Sequence, residues 1–138
     1  MLGVDLGTRR IGVALSDPLG TVASPLQTLE RSGDPAQDHR TIVEIAREHD
    51  AARIVVGLPR SMSGALGPAA RAALDEVEAL RVAAGPALPV DTVDERLTSV
   101  IANRSLAEAN VRGAKRRGTV DRVAAAVILQ SYLDAHRA

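Results

Sequence analysis

The chain has no cysteine, no tryptophan and no phenylalanine, and its one aromatic residue is Tyr132. Without cysteine there is no disulfide framework, no thiolate nucleophile and no cysteine-ligated zinc. With a single aromatic there is no platform on which single-stranded bases could stack. Charge of one sign is missing too, since 17 Lys and Arg balance 17 Asp and Glu. No overall basic field draws in nucleic acid, so a polyanion would have to be held by local patches. There is no signal peptide and no apolar run of membrane-spanning length, which points to the cytoplasm. What remains is 138 residues with 46% hydrophobic content. The core must come from Val, Leu, Ile and Ala, and that length suits one core better than two, so residues 1–138 read as a single domain.

Against that background Asp5 stands out. In the opening strand Leu2, Val4 and Leu6 share one face by period two, and Gly3, Asp5 and Gly7 share the other. A carboxylate on an otherwise apolar element is costly to bury unless it is paired, protonated or bound to a metal, and the flanking glycines leave room for something to approach it. The plainer reading is a strand-end Asp tied to the next turn by its side chain. After the polar turn Gly7-Thr8-Arg9-Arg10, the segment Ile11 to Ser16 alternates large and small residues. A hairpin therefore returns the chain antiparallel, with Gly12, Ala14 and Ser16 forming a floor of small residues beside Asp5.

The rest reads as α/β with a mixed sheet. Thr21 to Leu29 is extended but carries Pro25, which belongs at a sheet edge. Asp34-Pro35 starts a helix with Ile42, Ile45, Ala46 and His49 at helical spacing, in which His39 and His49 are ordinary helix residues. Ile54 to Pro59, apolar on both faces, suits an interior parallel strand. A loop with Ser61, Ser63, Gly64 and Gly67 leads to an Ala-rich helix over Pro68 to Ala84, broken by Gly85-Pro86, and Pro89 to Val93 is a fifth strand. Two closing helices are expected over Thr98 to Ala109 and Val120 to Ala135, with Val111 to Gly118 as the loop between them.

Three acidic positions stand out: Asp5, the pair Asp94-Glu95 just past the fifth strand, and Asp121 in the first turn of the last helix. Each has an ordinary explanation, because acids near helix starts complement the helix dipole. Together with the stretches Gly3 to Ala14, Ile54 to Pro59, Asp94 to Ser99 and Val120 to Ala126, they make the chain resemble the YqgF/RuvX family. Its members are relatives of Holliday-junction resolvases with an RNase H-like fold, also described as pre-16S rRNA nucleases. The likeness runs nearly end to end. It departs from the family pattern at Ser63-Gly64, where an Asp often precedes the glycine, and at Thr98-Ser99, where a second Thr is common.

The resemblance implies an RNase H-like, five-stranded mixed sheet with strands 1–3 antiparallel, flanked by helices. It also implies that Asp5, Glu95 and Asp121 converge as catalytic ligands for Mg²⁺ or Mn²⁺. Hard cations of this kind favour carboxylate oxygens with water and substrate phosphate. Strand alternation leaves Asp94 and Glu95 both open, and the resemblance alone ranks Glu95 first. Arg112, Lys115, Arg116 and Arg117 put four basic residues within six positions. A charge run of this kind is ordinarily a solvated loop, but beside Asp121 it becomes a contact for the phosphate backbone, joined by Arg9, Arg10 and Arg96.

The expected function is metal-dependent hydrolysis of phosphodiester bonds in structured RNA, such as pre-16S rRNA, or in branched DNA. The sequence leaves monomer and homodimer open. Two other classes compete. A non-catalytic nucleic-acid-binding protein would keep the fold without turnover. An actin-like ATP-binding domain would share the opening Gly3-Val4-Asp5-Leu6-Gly7-Thr8 but would need a second domain and a second phosphate loop.

Overall fold

The computed structural model describes residues 1–58, 67–94 and 113–136, without the side chains of 69 and 113–119. In chain order its elements are β1 (Leu2–Leu6), β2 (Arg10–Ser16), β3 (Ala23–Glu30), α1 (Pro35–Glu48), β4 (Ile54–Leu58), α2 (Pro68–Ala84), β5 (Val90–Asp94) and α3 (Gly113–Ala135). The expected loop around Ser61, Ser63 and Gly64 and the expected helix over Thr98 to Ala109 lie outside the described residues.

The five strands form one sheet in the order β3-β2-β1-β4-β5. The first three are antiparallel, while β1, β4 and β5 run parallel. Period-two alternation divides the side chains between two cores. Leu2, Val4, Ile11, Val13, Ile54, Val56 and Leu58 pack against Ile42, Ile45 and Ala46 of α1 and Val77, Leu80 and Ala84 of α2. On the opposite face Ala14 and Val55 meet Ala124, Ala125, Ile128, Leu129 and Leu133 of α3. Each fully buried Val, Leu or Ile is worth about 1.5–3 kcal/mol, so these two apolar layers supply most of the drive to fold.

Local signals act where the sequence places them. Asp34 caps α1, its carboxylate accepting from the Ala36 amide at 3.1 Å, with Pro35 in the first turn. Gly85 ends α2 at φ 79°, a conformation that favours glycine. Pro25 sits on the outer strand β3 opposite Ala14, where the register shifts between Val13 and Ala14. A proline is tolerated there because an edge strand at a bulge has no ladder bond for it to break.

The last helix differs from expectation. It begins at Gly113, not Val120, so Lys115, Arg116 and Arg117 stand on helix and not in a loop. Asp121 accordingly lies more than two turns inside the helix and does not serve its N-terminus. Gly113 and Gly118 read as breakers, but an interior glycine costs only about 1 kcal/mol. The tertiary packing of Val120, Ala124, Ile128 and Leu129, all nearly or fully buried, outweighs that cost. Among the described residues no helix is long and apolar enough to cross a membrane.

The small-residue floor is filled by α3. A Cβ on Gly3 would lie 2.7 Å from Leu129 Cβ and 2.8 Å from the Ala125 carbonyl oxygen, and one on Gly12 would lie 1.9 Å from the Asp121 carbonyl oxygen. Helix backbone thus rests directly on strand backbone. Gly12→Ala should lower stability by about 3 kcal/mol, because a backbone atom cannot swing aside as a side chain can. Gly67→Ala, with nothing within 4 Å of the added carbon, should change it by less than about 0.5 kcal/mol. Urea unfolding of both variants checks the contrast, and equal losses would mean that α3 slides freely over Gly12.

Candidate active site

Asp5 is buried, with 6% of its surface exposed, and it pairs across the hairpin with Gly12. Because Gly12 carries no side chain and touches the Asp121 backbone, the two carboxylate-bearing residues meet over one glycine. The β1–β4 register aligns Val4 with Val56, and one step further along it the neighbour of Asp5 is Gly57. Asp5 is thus flanked by glycine on both neighbouring strands, with α3 packed on the same face. It lies toward the carboxyl ends of the parallel strands. This is also where the chain turns from building the sheet on one side of β1 to building it on the other, the usual place for a ligand in an open α/β sheet.

Arg10 starts β2 on the same face as Gly12 and Ala14, and its Nε donates to Asp121 Oδ2 at 3.1 Å. Both side chains are about one-fifth exposed. Arg10, expected on nucleic acid, is therefore engaged with a proposed ligand carboxylate, whereas Arg9 in the turn is exposed. Asp94 registers with Leu58, which belongs to the core under α1 and α2. That row lies on the sheet face opposite Asp5. Val93, by contrast, packs into the core beneath α3. Glu95, Arg96 and Arg112 lie outside the described residues, as do the side chains of Lys115, Arg116 and Arg117. Among the described residues no group of three or more acids, histidines or cysteines could hold a metal ion. The structure brings together Asp5, Asp121 and Arg10.

This sheet order, with an antiparallel hairpin leading into parallel strands and helices on both faces, is an RNase H-like fold. The profile of the RuvX family, described as Holliday junction resolvase, matches residues 1–135, and the chain belongs to that nuclease family. A relative from Moorella thermoacetica is 47% identical over 134 residues, covering 97% of this chain and 94% of its own. One from Symbiobacterium thermophilum is 48% identical over 136 residues, covering 99% and 92%, and one from Mycobacterium sp. (strain KMS) is 46% identical over 137 residues, covering 99% and 80%. All three carry the name "Putative pre-16S rRNA nuclease". Among solved structures, T. thermophilus RuvC in complex with a Holliday junction substrate superposes with a TM-score of 0.57 at 16% identity, covering 99% of this chain and 96% of that one.

A polar network beneath the hairpin turn escaped the sequence reading. Arg31, just past β3, donates from Nε to the Gly7 carbonyl at 2.9 Å and forks onto Glu76 at 2.6 and 3.0 Å. His39, 3% exposed, bonds Glu76 at 2.9 Å, so it is no ordinary helix residue. Asp38 lies 3.8 Å from Arg31 and accepts from the Ser32 amide. His49 does fit the expectation, ending α1 in the open. At the other end of the site face Tyr132, the lone aromatic, donates to Asp91 at 2.6 Å and stacks on His136. That bond holds the Asp91 carboxyl below its usual range.

Burial pushes the Glu76 carboxyl up, but its bonds to Arg31 and His39 outweigh that and hold it below the ordinary value. A carboxyl lowered by folding stabilises fully above its unfolded pKa, here 4.5, and loses that contribution as pH falls through the lowered folded value. Glu76→Gln should therefore cost roughly 2 kcal/mol at pH 7. The gap from wild type should shrink as the pH is taken below about 4.5. Urea denaturation at stepped pH measures it, and a gap that stayed constant into acid would mean the charge of Glu76 contributes nothing.

Proposed function

We propose that the chain is a metal-dependent nuclease of structured nucleic acid, acting in the cytoplasm on precursor 16S rRNA or on branched DNA, with Asp5, Glu95 and Asp121 as its acidic site. The observation that carries this reading is the meeting of buried Asp5 with Asp121 over Gly12. A buried strand carboxylate with a second acid beside it is a costly arrangement that a bound cation would relieve. Asp94 registers with Leu58 on the sheet face opposite Asp5, which counts against it as a ligand, and Glu95 is ranked first by the family resemblance.

The donor set fits a hard divalent ion. It consists of carboxylate oxygens, and a cation, the Arg10 guanidinium, already sits on Asp121. Asp5, Asp121 and Glu95 would hold Mg²⁺ or Mn²⁺. When bound, such an ion lowers the pKa of water and offsets charge on the phosphate. The protein's own part is to fix the carboxylates on one strand and one helix, to keep Asp5 from bulk water, to hold Asp121 with Arg10, and to present Arg9, Arg96, Arg112, Lys115, Arg116 and Arg117 to the phosphates. Lys115, Arg116 and Arg117 precede Asp121 on α3 by between one and two turns, which supports a backbone track leading to the site. The rRNA reading is supported by the names of the relatives and the junction reading by the family description.

Asp5→Asn, Glu95→Gln and Asp121→Asn should each reduce cleavage at least a hundredfold while leaving the fold intact, and Asp94→Asn should retain it. Each exchange removes charge without changing volume. Cleavage of structured RNA and four-way junctions with Mg²⁺ or Mn²⁺, run beside thermal melts with each metal, tests the set. An active Asp5→Asn protein would remove the site, and an active Glu95→Gln protein with an inactive Asp94→Asn one would move the ligand by one residue.

Replacing Lys115, Arg116 and Arg117 together with Gln should weaken binding similarly across sequences. It should also flatten the dependence of log affinity on log salt by roughly two to three units on a duplex, at about 0.9 per contacted phosphate. Salt titrations in Ca²⁺, which suppresses turnover, would read it. An unchanged slope would take the phosphate track away from this part of α3.

A further inference from the structure

We infer that Arg31 is a positioning residue for the reaction proposed above, acting through the Gly7 turn on Asp5 and resting on the nuclease reading. The turn is held at two carbonyls. Arg31 Nε donates to the Gly7 oxygen at 2.9 Å, and the Arg31 backbone amide donates to the Arg9 oxygen at 2.9 Å. The Gly7 amide in turn donates to the Asp5 carbonyl at 3.1 Å. The Arg31 guanidinium is therefore linked to the Asp5 carbonyl through Gly7, which accepts from Arg31 with its oxygen and donates to Asp5 with its amide. The turn has little room to reshape, since a Cβ on Gly7 would lie 2.4 Å from the Arg10 oxygen.

The guanidinium is itself immobilised. Its two terminal nitrogens sit on the two oxygens of Glu76, at 2.6 and 3.0 Å, and His39 on α1 bonds the Oε2 that Arg31 Nη1 also occupies, at 2.9 Å. The side chains of Arg31, Glu76 and His39 are 17%, 19% and 4% exposed. Elsewhere α1 and α2 meet the sheet mainly through apolar side chains, with Arg81 Nε of α2 also donating to the Val90 carbonyl at 3.1 Å. Apolar side chains of the same size could join these elements at least as firmly as paired charges withdrawn from water, although breaking the pairs once built is costly, so stability alone does not account for charges at this place. It reaches the sheet at the residue two places after Asp5 and the residue just before Arg10. Only a planar fork can meet a carbonyl with Nε and a carboxylate with both Nη at once, which an ammonium cannot do. Asp5 must be set within a fraction of an ångström for a carboxylate to serve a reacting phosphate, and a misplacement of about 1 Å can cost a hundredfold in rate.

Arg31→Lys, which keeps the charge and loses the fork, tests the assignment alongside Glu76→Gln. With a four-way DNA junction and a structured precursor-like RNA as probes in Mg²⁺, Arg31→Lys should lower kcat about a hundredfold. KM and Ca²⁺-supported binding should stay within about twofold, because the groups that contact phosphate are untouched. Glu76→Gln should show a smaller loss of the same kind. A second readout needs neither substrate nor metal: hydrogen exchange at the Gly7 amide should accelerate in Arg31→Lys while the core amides of Val4 and Val13 keep their protection. A purely structural role predicts a lower melting temperature with unchanged kcat per folded molecule, and that result overturns the inference, as does unchanged exchange at Gly7. If the wild type cleaves neither probe, the nuclease reading falls by itself, and the exchange measurement still decides whether Arg31 holds the turn.

Discussion

The contact of helix backbone on strand backbone, the Asp121 carbonyl over Gly12, is the constraint on which the rest of the structure depends. Two layers of this kind normally stand apart by the length of their side chains, and here that spacing collapses at one point. The collapse requires glycine at positions 3 and 12 and leaves the larger side chains of α3, Ile128 and Leu129, to fill the space further along the sheet. It also fixes where Asp121 lies relative to Asp5 without any direct bond being needed between the two acids. The position of the candidate site is thus a by-product of core packing, and its rigidity is that of the core.

The electrostatics follow from that closeness. Two carboxylate residues brought together repel, and the chain answers with Arg10 on the same face, bonded to Asp121 from the first residue of β2. Below the turn a second set of charges, Arg31, Glu76, Asp38 and His39, is paired within itself. The two sets lie on opposite faces of the sheet, and the backbone of residues 7 to 10 links them. A neutral chain with no basic field can therefore still hold strong local charge, provided each group is matched nearby.

Much of this was legible in advance, and what was not has physical reasons. The hairpin, the edge strand with Pro25, the Asp34-Pro35 helix start and the apolar β4 all follow from periodicity and turn chemistry acting over a few residues. Asp5 announced itself because a charge broke an otherwise regular alternation. The glycines beside it were read as space for a ligand, yet most of that space is taken by α3, since a strand pattern says which residues are small without saying what covers them. The start of α3 was placed seven residues late, at Val120 and not Gly113, because glycine weakens a helix locally while the packing that outweighs it is distant. The Arg31–Glu76–His39 network joins residues 37 and 45 positions apart, and nothing in the local pattern of any of them marks a partner.

The order in which the chain is made adds a last consequence. Asp5 belongs to the opening strand and Asp121 to the last of the described helices, and α3 packs over Ala14 and Val55 on one face of the sheet. During synthesis the first four strands and α1 emerge while Ala14 and Val55 still face water and Asp5 has no neighbour on α3. Domains fold largely as units once their sequence is out, and here the pairing of Asp5 with Asp121 over Gly12 waits for α3 to dock. A nascent chain that had not yet made α3 would thus carry the sheet strands with the proposed site still unassembled.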